Sequence, residues 1–63
     1  MAHAKKVVTY RLSNGATSYR PTRWDEAAQR HVIIDEGEIV RPNATDEEHR
    51  AAYNRQLARC QGC

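Results

Sequence analysis

The sequence predicts an α+β domain, with two β-hairpins forming a small antiparallel sheet and one C-terminal α-helix. Three observations carry that expectation. Asn14-Gly15 lies between two β-prone runs, "HVIIDEGEIVRP" repeats the run–turn–run pattern, and "NATDEEHRAAYNRQLARCQGC" has the punctuation of a helix.

The first hairpin comes from "KVVTYRLSNGATSYRP". Asn-Gly is the preferred pair for a two-residue turn, because both central residues then need positive φ. Strands follow near residues 6–12 and 16–20, with Tyr10 opposite Tyr19 and Val8 opposite Pro21. Side chains alternate along a strand, so this register puts Val8, Tyr10, Leu12, Thr17 and Tyr19 on a core face. Lys5, Val7, Thr9, Arg11, Ser18 and Arg20 then share the solvent face. Pro21 cannot donate to a ladder, so pairing is expected to stop there or to leave an edge. "PTRWDEAAQR" shows no alternation and reads as a short helical turn or a long connection.

The second hairpin is expected to turn around Gly37. Asp35-Glu36-Gly37 suits a type I turn followed by a left-handed glycine and a bulge, and a two-residue turn on Glu36-Gly37 is the other option. Pro42 closes that strand. The helix is expected from about 46 to 60. Thr45 and Glu48 form a capping box, and Asp46 and Glu47 sit at the positive end of the dipole. Arg55 and Arg59 lie toward its negative end, and Gly62 is a suitable terminator. Ala52, Tyr53, Gln56, Leu57 and Cys60 share one face with His49, a narrow and moderately apolar stripe.

Length bounds what such a fold can do. Sixty-three residues make a single domain spanning 1–63, with 1–5 as an amino-terminal arm and 61–63 as a tail. The large aliphatic residues are few and there is no Phe. Chains with so small a core often depend on a metal, a disulfide or a partner. No apolar run approaches the roughly 18 residues of a membrane span, so no membrane partner is expected. "MAHAKK" lacks the hydrophobic stretch of a secretory signal, which points to the cytoplasm and reduced thiols.

Charge is distributed in blocks. Residues 1–24 carry five bases and no acid, residues 25–48 carry eight acids against two arginines, and the net charge is +2. Such blocks are ordinarily solvated surface, but they also steer partners.

The chemistry on offer is limited. Cys60 and Cys63 form a Cys-x-x-Cys pair, half of a zinc site by spacing. His49 cannot complete it, since eleven helical residues at about 1.5 Å each separate it from Cys60 by roughly 16 Å. If a metal were present within one chain, Cys60 and Cys63 would need His31, His3 or a carboxylate brought to the helix end, with Cys60, Cys63 and His31 the first choice, or two chains could pool four cysteines. A redox role fits poorly, because the pair closes a helix and so lacks the dipole that favours a thiolate. The simplest expectation is no metal and no cofactor, with Cys60 filling the helix's inner face. Replacing both cysteines with Ser is then expected to leave folding largely intact. No Gly-rich phosphate loop or nucleophile turn is present, and the acids of "DEGE" and "TDEEH" have turn and helix-start roles. An enzyme is not expected.

What remains is docking. The expected function is a non-enzymatic binding or assembly protein that docks on a larger protein complex or self-associates. It would use strand edges and a basic surface of Lys5, Arg11, Arg20 and Arg23. A protein partner or a second copy ranks first. The alternatives are nucleic-acid binding by the basic hairpin and a small zinc module. Nucleic acid ranks lower because the expected register turns Tyr10 and Tyr19 inward, away from bases that could stack on them.

Overall fold

The computed structural model describes residues 4–61. Four strands and one helix follow in order: β1 (Val7–Arg11), β2 (Thr17–Asp25), β3 (Arg30–Ile33), β4 (Glu38–Val40) and α1 (Asp46–Arg59). All strand pairs are antiparallel, and β2 is the centre of the sheet. The α+β arrangement expected from the sequence is present. Met1–His3, within the expected arm, and Gly62 and Cys63, within the expected tail, lie outside the described residues.

The first hairpin is where expected, but its register is shifted by one residue. Leu12 N–H donates to Ala16 O at 2.8 Å and Gly15 N–H to Leu12 O at 3.0 Å, which closes a three-residue loop. Gly15 has φ +89°, whereas Asn14 is not among the residues with positive φ. A two-residue turn of the expected type needs positive φ at both positions, so the chain adopts the longer loop with glycine as its left-handed residue. The Asn14 side chain supports this loop by accepting the Ala16 N–H at 2.9 Å. Tyr10 therefore faces Ser18, and Tyr19 faces Thr9. A one-residue slip exchanges the two faces relative to the partner strand. Tyr10 and Tyr19 are on opposite faces, and the expected face assignments are corrected accordingly.

β2 runs straight through Pro21 and ends only at Asp25. The region expected as a helical turn or long connection is instead the second half of this strand and a tight turn. Asp25 Oδ1 accepts the N–H groups of Ala27 and Ala28 at 3.1 and 3.3 Å, and Gln29 adopts φ +55° before β3 begins. The second hairpin is thus β2–β3, turning at residues 26–29.

Nor does the chain reverse at Gly37. β3 pairs with residues 22–25 of β2 and β4 with residues 17–19, both in the same direction. Between the Thr22–Ile33 and Tyr19–Glu38 pairs, β2 advances three residues and its partner five. β3 and β4 are therefore one strand interrupted by a two-residue bulge. The sequence signal at Asp35-Glu36-Gly37 is real, since Gly37 has φ +64° and its N–H donates to Asp35 Oδ1 at 2.8 Å. It builds a bulge rather than a turn. Pro21 fits this break: its carbonyl accepts from Ile34 at 3.0 Å, and its missing N–H falls where the partner strand is irregular.

The helix starts as its sequence dictates. Glu48 N–H donates to Thr45 Oγ1 at 3.2 Å, and Thr45 N–H donates back to Glu48 Oε2 at 3.3 Å. The helix then lies across one face of the sheet. Val7, Tyr19, Val40, Ala52 and Cys60 form the core, with Ala44 and Leu57 against it. Ala52 is 0% exposed, so its small side chain sets how closely the helix approaches. Gln61 continues past the helix to pair with Arg23, exchanging main-chain bonds with Thr22 and Trp24 on the edge of β2 that β1 leaves free.

Two ion pairs tie the acidic middle to the basic end, Arg55–Glu38 at 2.6 Å and Arg59–Asp35, and a third, Arg41–Glu48 at 2.9 Å, lies within the acidic middle. All three carboxyls are held below the ordinary values of 3.8 for Asp and 4.5 for Glu. The main cause for Asp35 is the Gly37 N–H, and for Glu38 and Glu48 the Arg55 and Arg41 guanidinium bonds. A depressed folded-state pKa contributes stability that is present above the ordinary value and lost as pH falls through the depressed one. The melting temperature should therefore hold flat from neutral pH to about 5 and fall below the ordinary carboxylate range. Circular dichroism melts check this, and Glu38→Gln should flatten the acid limb.

Candidate docking face

The helix covers one face of the sheet; the opposite face carries the candidate site. The register places Tyr10, Ser18 and Ile39 in a row across three strands. Val8 and Arg20 form the row on one side of it, and Leu12 and Ala16 the row on the other. Ser18 is 1% exposed, whereas Tyr10 is 45% and Ile39 64% exposed. The row is thus a trough with a small buried floor between two tall walls. Ile33, opposite Thr22 on the same side of β2, extends the apolar surface toward the second hairpin.

Arg20 is the cation at the centre of this surface. Its guanidinium lies 5.2 Å from the centroid of the Tyr10 ring, within range of a cation–π contact. Its Nε also donates to Ser18 Oγ at 3.4 Å. Arg20 and Tyr10 are therefore held against each other, the kind of pair enriched at binding hot spots.

The expected basic surface is not gathered on one side. Arg20 belongs to the open face, but Arg11 pairs with Thr17 on the face that carries Tyr19. Lys5 precedes β1, and Arg23 lies farther along β2, between Val32 and Gln61. Arg41, Arg55 and Arg59 are each engaged by an acid, whereas Lys5, Lys6, Arg11, Arg20 and Arg23 form no ion pair among the described residues. Among the described residues Arg30 and Arg50 also form no ion pair.

The edge of β1 adjoins the open face. Leu12 exchanges a main-chain bond with Ala16, so alternation turns the N–H and C=O groups of Val7, Thr9 and Arg11 away from β2. Among the described residues no other strand pairs with β1. This is an unpaired edge of β-branched residues, flanked by Lys5, Lys6 and Arg11.

The metal candidates are not brought together. Cys60 is buried at the helix end, where its Sγ accepts the Thr22 N–H at 3.4 Å and lies 3.1 Å from Lys6 O. Its thiol joins the helix end to the residue before β1 and to Thr22 in the interior of β2. The expectation that replacing it leaves folding intact is weakened by that burial. His31 is on the other side of β2, its ring edge-on to Trp24 at 5.2 Å and its buried Nδ1 without a hydrogen-bond partner among the described residues. Cys60 and His31 flank opposite edges of one strand, roughly 10 Å apart by two strand spacings. Cys63 lies outside the described residues. Among the described residues no group of three or more His, Cys, Asp or Glu side chains is placed to hold a metal. His49 instead bonds Tyr19, with Nδ1 at 2.9 Å from the phenol oxygen.

Tyr10 and Ile39 are the candidate site residues that sequence reasoning missed. The signal was present as alternation in "VVTYRL", but its meaning depends on a loop length that two turn types leave open. No family model, no curated protein and no solved structure matches this chain.

Proposed function

We propose that this is a non-enzymatic docking protein that works through the open face of its sheet and the adjoining edge of β1. The observation that carries the reading is the Tyr10–Ser18–Ile39 row: aromatic and aliphatic side chains stand exposed on the face away from the helix. Scattered apolar residues on a surface are ordinary, but a contiguous stripe beside an unpaired edge marks an interaction site. The shape of the molecule supports this. Its Cα radius of gyration is 12.4 Å, against about 10.6 Å for a compact chain of this length. The slab measures 38 × 22 × 13 Å.

The test uses a photo-crosslinking phenylalanine analogue at position 39, compared with the same analogue at Asn54 on the exposed helix surface. In the cell that carries the gene, position 39 should give a discrete protein adduct that Tyr10→Asp abolishes, and position 54 should give none. Equal labelling at both positions, or none at either, overturns the reading.

One observation favours a second reading. Tyr10 is exposed and stacked with Arg20, so the inward-facing tyrosines that ranked nucleic acid lower apply to Tyr19 alone. Single strands are bound by stacking on exposed rings beside phosphate-binding cations. Binding to oligo(dT) that weakens steeply with salt and is lost in Tyr10→Ala would put this reading first. Flat, negligible binding removes it.

A further inference from the structure

We infer that the edge of β1 takes an extended segment of a partner protein as an added strand, and that this segment is acidic at its ends and β-branched between them. The choice of partner rests on the docking reading and gives it a chemistry.

The backbone supplies the pairing. Lys6 O accepts from Thr22 Oγ1 and lies 3.1 Å from Cys60 Sγ, so it faces into the molecule. Leu12 faces inward as well, through its main-chain bond to Ala16. Between these two fixed ends, alternation leaves Val7, Thr9 and Arg11 directed outward, each with one N–H and one C=O. A row that both donates and accepts matches a peptide backbone, which does the same. Phosphate oxygens only accept, so a nucleic-acid strand along this edge would leave the carbonyls unpaired.

Charge selects the segment. Lys5 and Lys6 precede the row and Arg11 ends it, a span of roughly 20 Å at about 3.4 Å per residue. None of the three forms an ion pair among the described residues, and residues 1–24 contain no acid. Glu38, the acid of β4, lies beyond β2 and is engaged by Arg55 and Gln56. A carboxylate at each end of an incoming strand would meet these cations. A second β1 would instead set cations against cations, and lysines on an edge blunt such self-pairing.

Side chains set the middle of the segment. Val8 and Tyr10 point to the open face, where Tyr10 is 45% exposed. A residue opposite Tyr10 would lengthen the Tyr10–Ser18–Ile39 row by one position, and a β-branched side chain packs well against a cross-strand ring. Antiparallel addition is the more stable per residue. The matching segment therefore reads Glu-Val-Thr-Val-Thr-Glu-Glu, its first Glu opposite Arg11 and its last two opposite Lys6 and Lys5.

The probe is this peptide, acetylated and amidated, titrated into the isotope-labelled full-length chain under reducing conditions. Amide exchange should slow at Val7, Thr9 and Arg11, and binding should weaken with added salt. The same peptide with Lys in place of Glu should bind about tenfold more weakly. N-methylation of its two Thr nitrogens, which leaves the protein untouched, should also cost about tenfold through two lost hydrogen bonds. Lys5→Glu combined with Arg11→Glu should narrow or reverse the preference between the Glu and Lys peptides. Equal binding of those two peptides by the unaltered chain overturns the acidic partner. Binding that shifts Ile39 but leaves exchange at Thr9 unchanged overturns the edge as its seat. No binding at millimolar peptide overturns both the partner and the edge. If position 39 then still gives a crosslink that Tyr10→Asp abolishes, the docking reading stands on the open face alone; without that crosslink, it fails too.

Discussion

Gly37→Ala should unfold the protein. A Cβ at position 37 would lie 2.0 Å from Tyr19 O and 2.9 Å from both Tyr19 C and Arg20 Cα. These are backbone atoms of the central strand, which β1 holds from the other side, so none can move aside locally. The φ of +64° adds about 1 kcal/mol for any residue with a side chain. Relief requires β4 to lift off β2, which breaks the Tyr19–Glu38 pair and withdraws Glu38 from Arg55 and Gln56. A domain of this length has roughly 3–9 kcal/mol in total, and losing β4 removes most of it. Gly15→Ala is the control. Its φ is also positive, but the nearest atom to the new Cβ is Pro42 Cβ at 3.4 Å, an ordinary contact. It should cost about 1 kcal/mol and remain folded. Urea titrations that show the two variants equally stable would refute the close approach at Gly37.

That close approach shows where the sequence could be read and where it could not. The helix start was legible because its determinants, Thr45 and Glu48, lie within four residues and satisfy each other. The first turn was legible in place but not in length. A two-residue and a three-residue loop both accept Asn14-Gly15, and they differ in the sign of φ at Asn14. That single dihedral decides whether Tyr10 is core or surface, so the open face was hidden behind it. At Asp35-Glu36-Gly37 the local chemistry was read correctly and the topology was not. A left-handed glycine after an Asp serves a turn or a bulge equally well. What selects the bulge is β2, whose nine residues run through Pro21 and give β3 and β4 one continuous edge to follow. Nothing within the segment itself carries that information. The arginines followed the same rule: their number was plain, but their faces depended on the register.

Tyr19→Ala should also abolish folding, and for a different reason. Tyr19 is the aromatic residue of the core cluster, on the central strand and beneath the helix. Its ring meets His49 at 6.0 Å and Tyr53 at 6.3 Å, both edge-on. Truncating a buried aromatic residue costs about 3–5 kcal/mol, comparable with the whole stability of a domain this small. The remaining core residues are Val7, Val40, Ala52 and Cys60, and they are too small to close the gap. Tyr19→Phe separates packing from polarity. It keeps the ring and removes the hydroxyl that lies 2.9 Å from His49 Nδ1. That variant should remain folded and lose about 1 kcal/mol, the net value of one such hydrogen bond. The opposite change on the open face provides the contrast: Tyr10→Ala removes a ring outside the core cluster and should leave the monomer's fold nearly as stable as before. Denaturant titrations of the three variants decide the matter. If Tyr10→Ala unfolds the chain while Tyr19→Ala does not, the two faces of the sheet have been exchanged, and the docking face lies under the helix.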